Sequence, residues 1–345
     1  MPSQEQLTER ELRVLEAVVQ TYIETAEPAG SQTIARRYGL GVSPATIRST
    51  MSELEEKGYL FHPHTSAGRI PTDRAYRVYV NEIMRLAPLS DEARSTLHAE
   101  IKGSRNIVDE ILQRAAQVLG VLTQELGVAV GPALDEMVLE RLEMVQVSSE
   151  RLLLVFNLRS GIVRTIFVEV PARISAEAVF DVARVLNERL SGLTLSTIRN
   201  TLPERLRDVG GQAGGWELLN IFIAEREDIF GLSDDQNAVV LGSAQMLADQ
   251  PEFASNTRMR DLLRLTEGRD LLREALASRR QSGISVTIGG ENPDTRLSDF
   301  TLVTASYRAG GLRGLIGVMG PTRMPYDKII GLVEHTSRLV EGLLE

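Results

Sequence analysis

The sequence predicts an α+β multidomain protein: an N-terminal unit of short helices carrying a hairpin, then one α/β domain split by a mainly helical insertion. Three observations predict it. Residues 8–58 hold three short amphipathic segments, each opened by a capping residue and broken or stopped by glycine. Strand-like runs then occur in two separated groups, near 151–171 and 283–321. Between them, from about 175 to 280, the pattern is mainly helical. At 345 residues the chain is too long for one small core, which agrees with several domains.

The first segment opens on Thr8 and Glu11, a T-x-x-E capping box, ahead of Leu12, Leu15, Val19, Tyr22 and Ile23 on one helical face. Glu27-Pro28-Ala29-Gly30 breaks it. Ser31 is placed to cap a second helix through Ile34, Ala35 and Tyr38, which Gly39 stops. After the tight turn Leu40-Gly41-Val42, Ser43 caps a third helix with Pro44 at its first position. Ile47, Met51 and Leu54 point inward until Gly58 ends it. This arrangement reads as a helix-turn-helix. Tyr59-Leu60-Phe61 forms a strand, residues 62–72 a hairpin-like loop around Gly68, and Asp73 to Met84 a further helix. The added arm makes the unit winged.

Charge distribution gives this unit a candidate role. The whole chain carries a net charge of −9, which by itself argues against nucleic acid. Residues 36–77, however, hold seven basic residues (Arg36, Arg37, Arg48, Lys57, Arg69, Arg74, Arg77) against four acidic ones (Glu53, Glu55, Glu56, Asp73). On the third helix the outward stripe is Ala45, Ser49 and Ser52, flanked by Thr46 and Arg48, all small or hydrogen-bonding groups that let a backbone approach base edges. The three glutamates sit at the far end, where they would repel phosphate. The N-terminal half, from Ser43, is therefore the end predicted to enter a groove. A polar wing of His64, Thr65, Ser66 and Arg69, with Arg74 behind it, would lie against the DNA backbone or minor groove. A plain interaction module with solvated Ser and Thr is the alternative reading of the same pattern.

The stretches "GVSPATIRSTMSELEEKGYL" and "PHTSAGRIPTDRAYRVYV" closely resemble the signature of the HrcA family of heat-inducible transcription repressors. The match is nearly continuous from about residue 8 to 84. Ala75, Val78 and Asn81 depart from the family's usual Gly, aromatic and Asp, all within the helix after the wing. The resemblance implies a repressor of chaperone operons that binds double-stranded DNA at an inverted-repeat operator as a homodimer. It also implies a GAF-like domain interrupted by an inserted dimerisation domain, and a GroEL-type chaperonin that keeps the repressor active.

The expected organisation is a winged helix-turn-helix over 1–86, a helical linker over 87–126, a discontinuous GAF-like domain over 127–174 and 281–345, and the inserted dimerisation domain over 175–280. In the linker, Ile107, Ile111, Ala115, Val118 and Leu122 recur at helical spacing, suiting a lever or a dimer contact. "RLLLVFNLRSGIVRTIFVEVP" reads as two strands around Arg159-Ser160-Gly161. "GISVTIGG", "FTLVTASYRAGG" and "LRGLIGVMG" read as further strands before a terminal helix.

Other chemistries find little support. With no cysteine, disulfides, thiolate zinc sites and cysteine nucleophiles are excluded. No apolar run reaches the roughly 18 residues of a membrane helix, so a cytoplasmic protein without membrane contact is expected. His62-x-His64 is a close pair, but the chain has no cysteine and the nearest acid downstream is Asp73, so the pair reads as a polar wing rather than a metal site. The glycines at 310, 311, 314 and 317 lie between strand-like runs, which suits a hairpin rather than a phosphate loop. "GGEN" at 289–292 reads as a structural turn, with a small-ligand pocket as the alternative. No catalytic constellation and no cofactor is expected. Two functions remain: the operator-binding repressor, and a ligand-sensing regulator using the GAF-like domain. Polar groups converging on a pocket at Gly289 to Asn292 would favour the second, and a filled core there the first.

Overall fold

A computed structural model of the protein describes residues 7–63, 68–102, 108–131, 137–159, 163–171, 174–209, 213–230, 239–267, 269–277, 279, 283–309 and 312–344. Glu9–Thr25 (α1), Ser31–Tyr38 (α2) and Pro44–Glu56 (α3) form an N-terminal head. The Thr8 hydroxyl accepts from the Glu11 N–H at 3.3 Å while the Glu11 carboxylate accepts from the Thr8 N–H at 2.8 Å, the reciprocal box read from the sequence. Glu11 is buried and pairs with Lys57 Nζ at 2.9 Å, tying the start of α1 to the end of α3. Leu15, Val18, Ile34, Ile47, Met51 and Leu54 fill the core between the three helices. The buried face of α1 is wider than its apolar stripe: Val14, Ala17 and Val18 are buried and Leu12 only partly, because α1 packs against α2, α3 and the segment after the hairpin together. Gly30, not Ser31, occupies the N-cap of α2, and Ser31 is its first helical residue.

Leu60–Phe61 (β1) pairs antiparallel with Ile70–Pro71 (β2), and Asp73–Val78 (α4) follows. The expected helix to Met84 changes its winding at Tyr79–Ile83, a π turn. Beyond the head lies a five-stranded antiparallel sheet. Its strands are Leu126–Val130 (β3), Val239–Leu241 (β7), Ile284–Ile288 (β8), Phe300–Ala309 (β9) and Leu312–Pro321 (β10), in the order β7-β3-β10-β9-β8. Side chains alternate between its faces, as the pleat requires. Ala129, Val303, Ala305, Tyr307, Ile316 and Val318 pack under Asp91–Lys102 (α5), Val108–Thr123 (α6) and Tyr326–Leu344 (α14). Leu126, Val128, Leu302, Leu315 and Met319 pack on the other side with Leu247 of Gln245–Ala248 (α11), Leu262 and Leu265 of Asn256–Glu267 (α12), and Leu272 and Leu276 of Arg269–Ala277 (α13). The result is three layers, helix on sheet on helix.

Between β3 and β7 the chain builds a separate unit. Leu139–Ser148 (β4), Arg151–Leu158 (β5) and Val163–Glu169 (β6) form a three-stranded antiparallel sheet, covered on one face by Ala176–Leu190 (α7), Leu195–Arg205 (α8), Ala213–Ala224 (α9) and Arg226–Phe230 (α10). Asn187 of α7 accepts from the Leu142 N–H at 2.8 Å and donates to its carbonyl at 2.7 Å, so a side chain completes part of the β4 edge.

Two expected boundaries are corrected by this topology. The strands at 151–158 and 163–169 do not belong to the split sheet, because Leu152, Leu154, Phe156 and Leu158 bury against α7–α10 immediately downstream. The separate unit thus runs from about 137 to 230, while residues 239–279 return to the five-stranded sheet. The segment 87–126 is not a linker either: Leu97, Ile101, Ile111, Leu112, Ala115 and Leu119 of α5 and α6 are fully buried in one layer of that sheet unit.

Candidate nucleic-acid interface

The third helix is fastened at both ends. Ser43 accepts from the Thr46 N–H at 3.1 Å, Pro44 occupies the first turn, and Gly58 leaves the helix at φ +76°. Inward, Ile47, Thr50, Met51 and Leu54 are buried. Outward, Ala45, Arg48 and Ser49 are exposed, and Thr46 and Ser52 half-buried. Thr46 Oγ1 lies 2.9 Å from Ser43 Oγ, Ser49 donates to Glu53 at 3.3 Å, and Ser52 donates to the Arg48 carbonyl at 3.2 Å. The Arg48 guanidinium has no protein partner among the described residues, so this cation is presented to solvent without competition.

The acids at the far end of α3 are not all free. Glu53 pairs with Arg10 at 3.7 Å. Glu55 pairs with Arg69 at 2.7 Å and also contacts His62 Nδ1. Only Glu56 of the three stands exposed and unpaired among the described residues. The expectation that this end repels phosphate therefore rests on less charge than the sequence suggested.

The same contacts place the two basic residues expected at the wing. Arg69 keeps only 19% of its side chain exposed, held by Glu55. Its backbone exchanges two hydrogen bonds of 2.9 Å with Ala29, stitching β2 to the α1–α2 connection. Gly68 must be glycine there, since a Cβ would lie 2.4 Å from the Ala29 carbonyl oxygen. Arg74 donates to the Lys57 carbonyl at 2.8 Å and stacks 4.3 Å over the Tyr59 ring. Arg69 and Arg74 thus brace the hairpin against α3 rather than project with Arg48. His64, Thr65 and Ser66 lie outside the described residues.

The pairings of Glu55 with Arg69 and His62, and of Ala29 with Arg69, leave no signal in the sequence. They act across 7 to 40 residues, and no local pattern signals such pairs. Glu11 was read only as a capping residue, yet its burial, which alone would push its pKa up, is outweighed by the Lys57 and Thr8 hydrogen bonds, which hold it below the usual carboxylate value.

The "GGEN" turn is filled. Asn292 is buried, and its amide donates to the carbonyls of Gly289, Leu297 and Phe300 at 2.8–3.0 Å. Its oxygen accepts from Arg279 at 3.0 Å and Thr287 at 2.9 Å. Polar groups do converge here, but upon each other. The glycines of β10 also serve packing: a Cβ at Gly314 would lie 2.2 Å from the Tyr307 ring, and one at Gly317 2.1 Å from the Val303 oxygen.

Residues 109–330 match the family described as HrcA protein C terminal domain. The chain is 39% identical over 340 residues to the heat-inducible transcription repressor HrcA of Chlorobium phaeobacteroides (strain BS1), covering 95% of this chain and 96% of that protein. It is 38% identical over 344 residues to the protein of the same name from Chlorobaculum tepidum, covering 95% of each. Among solved structures, a protein described only as hypothetical superimposes with a TM-score of 0.67, at 22% identity, over 98% of this chain and 99% of that one, a likeness of fold. The family match and these relatives define a transcription repressor, a regulator and not an enzyme. The chain belongs to the HrcA family of heat-inducible transcription repressors. No helix among the described residues is long and apolar enough to cross a membrane.

Proposed function

We propose that the head is a winged helix-turn-helix through which the chain represses heat-shock operons, binding an inverted-repeat operator as a homodimer. The observation that carries this reading is the outward stripe of α3, in which Ala45, Thr46, Ser49 and Ser52 surround an unpaired, exposed Arg48 on a helix whose cap and core prevent it from shifting. Its N-terminal half enters the major groove, Arg48 and Ser49 meet base edges, and the first-turn amides with Ser43 approach phosphate. Arg69 and Arg74 contribute by holding the wing in place.

Arg48→Ala is expected to cost about 1–3 kcal/mol of operator binding and to relax base preference, if the contact is to a base. Fluorescence anisotropy on operator and on scrambled duplex checks it. Equal affinity of variant and parent for both duplexes would sink the groove assignment.

Dimerisation is assigned to the inserted unit, now taken as 137–230 with its three-stranded sheet. The five-stranded unit is the GAF-like domain in this reading. Its filled turn at 289–292 supports the operator-binding repressor over the ligand-sensing alternative. Release under heat follows from loss of a GroEL-type chaperonin. The split sheet unit closes only after about a hundred residues have intervened, a non-local step that folds slowly and leaves the apolar strand Leu126–Val130 without its partners β7 and β10 meanwhile.

A further inference from the structure

The head is docked on the sheet unit at two separate points. At the first, the turn Gly289–Glu291 meets α4: Asp73 accepts from the Gly290 N–H at 2.9 Å, and Arg77 donates through Nε to Glu291 at 2.7 Å and through a second nitrogen to the Val286 carbonyl at 2.7 Å. A second Arg77–Glu291 contact completes a fork. At the other point, Arg323 donates to the Ile23 carbonyl near the end of α1 at 2.7 Å while gripping Glu252 at 2.6 and 3.1 Å. Tyr76 of α4 and Tyr326 of α14, both fully buried, meet as well, with ring centroids 5.9 Å apart.

Two polar anchors flanking an apolar contact remove rotations that one anchor would leave open. The first anchor also has little room. Gly289 sits at φ +53°, and a Cβ there would lie 2.1 Å from the Asp73 carboxylate. Glu291 is shared, since it also accepts from the Ile288 N–H at 2.8 Å, so the grip on Arg77 is continuous with the end of β8. The turn that invited a ligand-pocket reading is thus a cradle for the chain's own α4.

We infer that Gly289 and Glu291 are positioning residues that fix the angle at which the sheet unit presents the head, and so set the separation of operator half-sites that a dimer can span. This rests on the operator-binding reading above. Arg48 and its neighbours on α3 touch none of these groups, so base recognition within one half-site is independent of the joint. A symmetric dimer binds both halves only when the heads' separation and rotation match the DNA helix.

The test measures binding of the full chain to a single half-site and to inverted repeats whose spacer changes one base pair at a time. The parent is expected to prefer one spacer sharply. Glu291→Gln keeps the Ile288 hydrogen bond but loses the ion pair; it and Arg77→Lys should lower affinity for the preferred spacer about five- to tenfold and flatten the spacer profile. Binding to the single half-site should not change. Gly289→Ala should act in the same direction, and the charge exchange Arg77→Glu with Glu291→Arg should recover part of the profile. An unchanged spacer profile in Glu291→Gln and Arg77→Lys overturns the inference. So does an equal loss on the single half-site, which would make these residues supports of the head itself. A parent that binds operator no better than scrambled DNA would instead defeat the operator reading on which the inference stands.

Discussion

The two sheets of this protein have similar strands and opposite surroundings. In the five-stranded sheet, successive residues of β9 and β10 go alternately to two helical layers, so both faces are dry. In the three-stranded sheet only one face is covered. On its other face Val145 pairs with Leu153 and Leu153 with Phe167, a row of apolar side chains across all three strands. Val145 is 49% exposed and Phe167 56%; Val147 near the end of β4 is exposed as well, and so is Val163 at the start of β6. Contiguous apolar surface of this kind marks an interaction site more often than it is left to water. One sheet is a core, and the other is half a core.

The comparison breaks most visibly in stability. Ile316→Ala, between β9 and β3 and fully buried, should cost about 2–5 kcal/mol in chemical denaturation. Phe156→Ala, buried against Phe230 at 5.7 Å, should cost about 3–5 kcal/mol, but from the inserted unit. Hydrogen exchange resolves the two: protection should fall across β3, β9 and β10 in the first variant and across β4–β6 in the second. Uniform loss everywhere in both would mean that the two cores are one cooperative body.

The open face gives the opposite expectation. Val145→Glu combined with Phe167→Glu should change the stability of the folded chain by no more than about 0.5 kcal/mol per site, as exposed positions do. If the face is where two copies meet, the pair should nevertheless convert dimer to monomer in sedimentation. An unchanged dimer would move the interface to another surface of the inserted unit.

The smallest effect concerns a carboxyl that only the doubly covered sheet could dehydrate. Glu125, at the start of β3, is 2% exposed, whereas Glu143 and Glu169 on the three-stranded sheet lie open to water. Burial pushes the Glu125 pKa well up, against the opposing Gln250 hydrogen bond of 2.9 Å and the charge of Arg323. A raised folded pKa gives stability that is present below the unfolded value near 4.5 and lost as pH rises through the folded one. Glu125→Gln removes that loss, so its Tm should exceed the parent's at neutral pH, and the gap should close toward pH 4.5. A gap of constant size across the titration would assign the effect to packing beside Gly320 instead.

Much of the head was legible because its signals are local. The Thr8–Glu11 box, the Ser43-Pro44 start of α3, the inward Ile47, Met51 and Leu54, and the hairpin around Gly68 each follow from spacing within a few residues. The strands at 151–158, 163–169, 284–288, 300–309 and 312–321 were legible for the same reason. β3, β4 and β7 were not read. "LGVAV" is short and buried on both faces, so it lacks alternation, and the three-residue β7 carries no pattern at all.

The sequence by itself determined which segments are helix and strand over most of the chain, which face of α3 is apolar, and which of its residues face outward. Only the tertiary structure decided which strands share a sheet, since period-2 patterning says that a face is buried but not against what. For the same reason it decided that α5 and α6 are a layer and not a linker, and that Arg69 and Arg74 brace the hairpin while Arg48 stands free. Their partners, Glu55, Tyr59 and Lys57, are set by how α3, the hairpin and α4 meet. A charge count over residues 36–77 could not distinguish a cation facing solvent from one already held by the fold, because pairing depends on distances of a few ångströms that sequence separation does not encode.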